Sequence, residues 1–391
     1  MNNPALNPSP IQRLLSLDVL RGLTVAFMIM VNNNGGPGSW HFMNHADWNG
    51  LTPTDLVFPT FLFVVGASIV FAFEARFAKG AKPKELVGHT LERAIKLIVL
   101  GIVINSFPLF KLEHMRFYGV LPRIGLCYLV VSLFYLADRR VWTKVAALAG
   151  CLLGYWALMR LVVVPGAGLP GRDIPLLDPV NNLVGWLDQR LMPYHLYEDW
   201  TTHNLRDPEG LLSTLPAVGT TLLGVLAGFW LRSKRTVEQK CLGLFVAALG
   251  SLGTGYLWSI WFPLNKKMWT SSYVLVAGGY ALLVLTLALW VVDKWGWGKG
   301  ESKWMVAPWL VLGSNAITIY MFSELLPSAL LQWHVQDGAR RVDVMTWFEQ
   351  HICAGLIASP GLAAFSFSLT VLAICFVPAI WLYRKKIFIK L

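Results

Sequence analysis

Long apolar runs, separated by polar connections, dominate the pattern of hydrophobic and polar positions along the chain. Each run is about 20 residues long, the length that an α-helix needs to cross the hydrocarbon core of a bilayer. The ninth run contains Pro327, so we expect a kinked or broken helix there. The runs predict about ten transmembrane helices, near residues 16–33, 55–76, 88–107, 118–137, 142–163, 211–231, 241–262, 271–292, 305–331 and 361–383.

The composition agrees with a membrane protein. Hydrophobic residues make up 55% of the 391 residues and charged residues 14%, whereas a soluble domain has about 25% charged residues. The chain therefore predicts an all-α, polytopic integral membrane protein, and soluble, disordered and disulfide-scaffold classes are excluded. The five cysteines form no CxxC motif and no Cys/His metal spacing. We interpret them as small core residues and expect no metal.

The net charge of +11 raises the question of a nucleic-acid partner, but the positions of the basic residues favour membrane topology instead. In the ten-helix arrangement, alternate connections and both chain ends hold 22 of the 33 Lys and Arg residues. By the positive-inside rule, both termini are predicted to be cytoplasmic, with no nucleic-acid partner. Residues 1–12 predict a disordered tail, and residues 13–391 a single transmembrane domain. The long connections 34–54, 164–210 and 332–360 then face outward, where long loops are usually functional.

The first outer connection carries the clearest candidate chemistry. Thr52, Pro53 and Asp55 predict a capped helix start, with Thr52 as N-cap and Asp55 completing a capping box. His45 precedes this helix N-terminus, whose partial positive charge favours a neutral imidazole. A neutral His45 is suited to act as a general base or nucleophile. The alternative is a loop histidine that bonds a backbone carbonyl.

Ionisable residues within the apolar runs are further candidates. Asp18 and Arg21 lie three residues apart at the start of the first helix, either as an anchoring pair or as a contact to a charged ligand from the cytoplasm. Glu324 lies in the ninth run, after Asn315. An ionisable group at membrane depth predicts a functional site, and helix–helix hydrogen bonding is the alternative.

The outer loops add carboxylates and basic residues. Asp207 and Glu209 are suited to bind an amine or sugar hydroxyls, or else Asp207 caps the sixth helix. Arg123 and Lys266 are basic residues on the outer side, consistent with anion binding or with snorkelling at the interface. The chain contains no phosphate-binding GxxxxGK[ST] motif and no HExxH motif, so ATP-driven transport and zinc hydrolysis are unsupported.

Several segments resemble one family. They are SLDVLRG at 16–22, HADWNGLTPTDLVFPTFLFVVG at 45–66, HLY at 195–197, DPEG at 207–210, LNKKMWTSSYVL at 264–275 and GSNAITIY at 313–320. Together they resemble the heparan-α-glucosaminide N-acetyltransferase family of membrane acetyltransferases over nearly everything after residue 12. The resemblance does not include the soluble luminal domain of the animal enzyme. We therefore expect a bacterial relative in the inner membrane, with its active-site loop toward the periplasm.

The resemblance implies acetyl transfer from cytoplasmic acetyl-CoA to the amine of an extracytoplasmic, glucosamine-like sugar. The family histidine matches His45. The family asparagine matches Asn32, although two extra residues before His45 leave Asn33 and Asn34 as alternatives. Asn32 would donate a hydrogen bond to the thioester carbonyl, and Asp55 would orient His45. Direct transfer and a route through acetyl-His45 both remain open.

The remaining expectations concern contacts, partners and competing functions. We expect the donor to contact Asp18, Arg21, Arg123, Asn315 and Glu324. We expect the acceptor to contact Trp48, Asn49, His195, Asp207, Glu209, Lys266 and Trp269. The family suggests a homodimer. An O-acyltransferase of a cell-envelope glycan and a transporter or flippase without chemistry are the alternatives. A transporter favours inverted repeats, and the sequence has none that is evident.

Overall fold

A computed structural model describes residues 14–111, 113, 115–197, 206–298 and 300–389, and these form a bundle of α-helices. The helices are α1 (Leu15–Asn32), α2 (Val57–Phe77), α3 (Pro83–Ser106), α4 (Val120–Ala137), α5 (Val141–Leu161), α6 (Leu183–Leu191), α7 (Thr214–Leu231), α8 (Val237–Ser259), α9 (Ser271–Ala288), α10 (Lys303–Ser314), α11 (Ala316–Leu330), α12 (Val344–Phe348), α13 (Ala354–Leu356) and α14 (Pro360–Arg384). A hairpin of β1 (His334–Asp337) and β2 (Arg340–Asp343) precedes α12.

Among the described residues, eight helices are long and apolar enough to cross a membrane: α1, α2, α4, α5, α7, α8, α9 and α14. The bent pair of α10 and α11 makes a ninth span if the two are counted together. Helix α3 is 24 residues long but carries Glu92, Arg93 and Lys96. The predicted class, an all-α polytopic membrane protein, is therefore confirmed. The count of ten and the cytoplasmic termini stay predictions.

The helices alternate in direction, so their connections lie at two ends of the bundle. At one end, which we call the basic end, Glu74 accepts from Arg139 at 2.8 Å and from Arg232 at 2.7 Å. These ion pairs join the end of α2 to the connections after α4 and α7. The other end, which we call the loop end, holds the long connections after α1, α5 and α11.

The predicted break in the ninth run lies at a different residue. Helices α10 and α11 meet at 74° around Asn315, whereas Pro327 lies inside α11. The Asn315 side chain donates to the carbonyl of Ile387 at 3.0 Å and accepts from the N–H of Ile389 at 2.8 Å. These bonds to the chain after α14 stabilise a non-helical Asn315, while Pro327 removes only a single N–H from the helix ladder.

The long outer connections contain structure that the sequence did not predict. Helix α6 lies within 164–210, and the hairpin, α12 and α13 lie within 332–360. These elements are short and mixed in polarity, so they leave no clear periodicity. The predicted tail 1–12 and the stretch 198–205 lie outside the described residues.

Close backbone contact between α2 and α7 fixes the centre of the bundle. A Cβ atom on Gly66 would lie 1.9 Å from the carbonyl oxygen of Thr221, and one on Gly224 would lie 1.9 Å from that of Phe63. Glycines let membrane helices approach this closely. Since α2 begins in the loop that carries His45, this contact also positions the candidate site.

We predict that Gly66→Ala destabilises the protein, because the added methyl group meets backbone rather than a movable side chain. Overpacking of this kind costs about 1–3 kcal/mol. The matched control is Gly154→Ala in α5, where a Cβ atom meets nothing within 4 Å. Thermal unfolding in detergent should give a lower midpoint for Gly66→Ala only. Equal midpoints for the two variants would contradict the close α2–α7 contact.

Candidate active site

The start of α2 is built as the sequence predicts. Thr52 and Asp55 form a capping box around the turn Pro53–Leu56. The Asp55 carboxylate accepts from the N–H of Thr52 at 2.9 Å and from its hydroxyl at 3.0 Å. The carbonyl of Asp55 accepts from the Tyr273 hydroxyl at 2.5 Å. The turn is therefore fixed both within itself and to α9.

The same carboxylate holds His45. Asp55 Oδ1 lies 2.7 Å from His45 Nδ1, and Oδ2 accepts from the N–H of Ala46 at 3.1 Å. Asp55 is buried, whereas 44% of the His45 side chain is exposed. With Nδ1–H donated to the carboxylate, Nε2 keeps a free lone pair. The structure thus brings Asp55 and His45 together, and the expected role of Asp55 in orienting a catalytic His45 stays a prediction.

Lys266 reaches the same imidazole from the connection between α8 and α9. Its Nζ lies 3.1 Å from Nε2 and 3.2 Å from Nδ1 of His45. Burial lowers the pKa of His45 below its ordinary value, the hydrogen bond to Asp55 opposes that shift, and the charge of Lys266 adds to it. Lys266 thus lies beside the imidazole.

The structure distinguishes the three candidate asparagines. The Asn32 amide donates to Glu324 Oε1 at 2.7 Å. Asn33 is buried and donates to the carbonyl of Ile29, and Asn34 donates to Asn44 within the loop. Asn33 and Asn34 thus use their side-chain amides for hydrogen bonds within α1 and within the loop. This favours Asn32 as the functional residue. Glu324, expected at the donor, lies with Asn32 toward the loop end.

Arg116, which the sequence analysis missed, organises the second group of charges. It donates to both oxygens of Asp207 at 2.7 Å and to Glu209 at 2.6 Å. Burial opposes the charged form of Arg116, but these carboxylates outweigh it and raise its pKa. The sixth predicted helix, near residues 211–231, corresponds to α7. The alternative that Asp207 caps this helix is wrong, because α7 begins at Thr214. Nothing in the sequence around Arg116 indicates a partner some 90 positions away.

The other predicted acceptor residues tie the loops together. Trp48 donates to the carbonyl of Leu177 at 2.8 Å, and Asn49 accepts from Asn265 at 3.2 Å. His195 Nδ1 lies 2.8 Å from the carbonyl of Met115. Trp269 is fully buried against the rings of Phe58 and Tyr273 and the guanidinium of Arg123.

A cavity of about 480 Å³ opens at the basic end. It is lined by two of the predicted donor residues, Arg21 and Asn315. Asp18 pairs with Arg21 at 2.9 Å, so it contributes indirectly. Arg123 and Glu324 do not line this cavity, and Arg123 instead donates to Gly210 near the loop end at 2.9 Å.

The same cavity is lined by basic residues that the sequence analysis assigned only to topology: Arg76, Arg93 and Lys96. Lys96 is paired with Glu92 at 2.5 Å. Neither Arg76 nor Arg93 has a carboxylate partner among the described residues. Their convergence depends on how α2 and α3 each pack against α4, and the sequence carries no signal for it.

A narrow apolar gap continues from this cavity toward the loop end. Phe61 and Ile317 line both spaces, and Met28 and Tyr320 line the gap beyond them. Asn32 follows Met28 by one helical turn, and Glu324 follows Tyr320 by one turn. The cavity, the gap and the Asn32–Glu324 pair therefore follow one another along the bundle.

Comparison with known proteins finds similar sequences. The family model described as heparan-alpha-glucosaminide N-acetyltransferase, catalytic, matches residues 13–170. The heparan-alpha-glucosaminide N-acetyltransferase of Homo sapiens is 29% identical over 431 residues, covering 97% of this chain and 60% of that protein. The protein of the same name from Mus musculus is 29% identical over 441 residues, covering 99% of this chain and 62% of its own length. The chain thus spans about three fifths of the length of these relatives. The chain is therefore similar to heparan-alpha-glucosaminide N-acetyltransferases over most of its length.

Proposed function

We propose that the protein is a transmembrane acetyltransferase, which takes acetyl from acetyl-CoA at the basic end and places it on the amine of a glucosamine-like sugar at the loop end. One observation carries the proposal: a hydrogen-bonded His45–Asp55 pair at the loop end lies across the bundle from a basic cavity. The similarity to heparan-alpha-glucosaminide N-acetyltransferases supports the chemistry. The basic end is then cytoplasmic, in a bacterial inner membrane, and the family suggests a homodimer.

The donor would enter by its acyl end. Arg76 and Arg93 line the cavity and have no carboxylate partner in the part of the chain that the structure describes, and guanidinium groups are suited to bind the phosphates of coenzyme A. The narrow gap at Phe61 and Tyr320 would have to widen for the thioester to reach Asn32. A gap that closes without the donor also keeps the membrane sealed.

At the loop end the acceptor amine must lose a proton before it attacks. His45 Nε2 would take that proton while the nitrogen lone pair forms a C–N bond to the thioester carbonyl carbon. The C–S bond then breaks, and the coenzyme thiolate takes up the second proton, which the nitrogen loses as it becomes an amide. Asn32 would donate to the carbonyl oxygen as charge develops on it. Attack by Nε2 itself, giving acetyl-His45, uses the same geometry and remains the second route.

Arg116, Asp207 and Glu209 would form part of the acceptor site. Glu209 uses Oε2 for Arg116, which leaves Oε1 for an amine or a sugar hydroxyl. Asp207 is occupied by Arg116 and by the N–H groups of Tyr197 and Glu209, so it would position Glu209 rather than bind sugar. An O-acyltransferase is the second candidate function. Its ester product is cleaved by mild base and an amide is not.

We predict that His45→Ala lowers the rate of acetyl transfer at least about 100-fold, the usual contribution of a general base. The assay uses protein in lipid nanodiscs with radiolabelled acetyl-CoA and glucosamine. His41→Ala, an exposed histidine of the same loop, is the control and should keep full activity. Equal activities of the two variants would remove His45 from the mechanism.

We predict that activity persists in mild acid. The base must be neutral, and the pKa of His45 lies below its ordinary value of 6.5 because of burial and the nearby Lys266. With saturating donor and acceptor, kcat should therefore fall on the acid side with an apparent pKa below 6.5. A midpoint at or above 6.5 would contradict the proposed environment of His45.

We predict that the double variant Arg76→Gln, Arg93→Gln raises the KM for acetyl-CoA about tenfold or more, since each bond to a charged group contributes about 1.5–3 kcal/mol. A short thioester without a nucleotide, S-acetyl-N-acetylcysteamine, should react equally well with wild type and variant. Lys79→Gln with Lys84→Gln, exposed in the same connection, is the control. Equal losses with both donors would show that the cavity does not bind the nucleotide.

A further inference from the structure

Hydrogen bonds fix the connection that carries Lys266 to the loop that carries His45. The N–H of Gly50 donates to the carbonyl of Leu264 at 2.9 Å, and the amide of Asn265 donates to Asn49 at 3.2 Å. Both contacts join the connection between α8 and α9 to the His45 loop, immediately before Lys266. The Asn265 side chain also accepts from the N–H of Met268 at 2.8 Å. The backbone of Lys266 is therefore anchored on both sides.

The position of the ammonium group shows how it acts on the imidazole. Its distances to Nε2 and Nδ1 are 3.1 Å and 3.2 Å. A donor on the lone-pair axis of Nε2 would lie much farther from Nδ1, so Nζ lies beside the ring and not on that axis. It therefore acts as a nearby positive charge and leaves the Nε2 lone pair open.

We propose that Lys266 is a positioning residue for the reaction, whose charge keeps the His45 imidazole neutral and ready to accept the proton of the acceptor amine. This role rests on the proposed function, and it differs from the sugar contact that the sequence analysis expects of Lys266. The charge of Asp55 explains why the site needs Lys266. Asp55, at 2.7 Å from Nδ1, by itself favours the imidazolium, and a protonated His45 accepts nothing.

Charges of both signs surround His45 and Lys266. His45 faces Asp55, Lys266 and, at longer range, Glu209. Lys266 faces Glu209 and Asp55 as opposite charges and Lys267 and Arg123 as like charges. Without the Lys266 charge, the charged neighbours of His45 are the carboxylates of Asp55 and Glu209, which stabilise the imidazolium.

The test measures the protonation of His45 without relying on activity. Diethyl pyrocarbonate modifies neutral imidazole, and peptide mass spectrometry reports the modification of His45 separately from the other histidines. We expect the pH midpoint of His45 modification to rise by about one unit in Lys266→Met, because a like charge this close shifts an imidazole by about that amount or more. Lys266→Arg should keep a midpoint near that of wild type, and Lys267→Met is the matched control.

The outcomes separate this role from others. A second neutral variant, Lys266→Gln, gives the same test if Lys266→Met does not fold. Unchanged midpoints in both neutral variants would overturn the proposal, as would an equal shift in Lys267→Met. In activity assays the acid limb of kcat should move upward with the midpoint. At one pH unit below the wild-type midpoint, the neutral variants should be about tenfold slower than wild type. A raised KM for the sugar with an unmoved acid limb would instead assign Lys266 to substrate binding. A shifted midpoint in a protein without acetyl transfer would leave the charge effect intact and refute the proposed function alone.

Discussion

The carboxylate of Asp55 is the interaction on which the loop end depends. A buried carboxylate is stable only when hydrogen bonds replace its lost water. Asp55 obtains these bonds from Thr52, Ala46 and His45. The bonds that cap the start of α2 are thus made by the group that orients the imidazole. Helix α2 cannot begin in this way without also placing His45.

The helices that carry this group also separate two chemical environments. The basic end gathers the ion pairs of Glu74 and the cavity with Arg76 and Arg93, and the loop end gathers the charges around Arg116 and His45. Between them lie apolar residues such as Phe61 and Ile317. A long donor with charged phosphates and a small acyl end fits this distribution. A soluble amino sugar fits the opposite end, so the proposed reaction uses both ends of one bundle.

The sequence predicts the helices closely because each span must present about 20 apolar residues to lipid. It also predicts the capping box at Thr52 and the place of His45 beside it, since both depend on neighbouring residues. It misses Arg116, whose carboxylate partners are distant along the chain, and the cavity residues Arg76 and Arg93, which helix packing brings together. The bend at Asn315 is missed for a similar reason. It depends on backbone groups near Ile387, whereas Pro327 offers a local but weaker signal.

Transfer of acetyl across the membrane predicts that donor and acceptor react from opposite sides. Protein is reconstituted into liposomes that contain glucosamine, and radiolabelled acetyl-CoA is added only outside. The account predicts labelled N-acetylglucosamine inside the vesicles, formed by molecules whose basic end faces outward, with the coenzyme remaining outside. Product that forms only when donor and acceptor share one side would contradict the account.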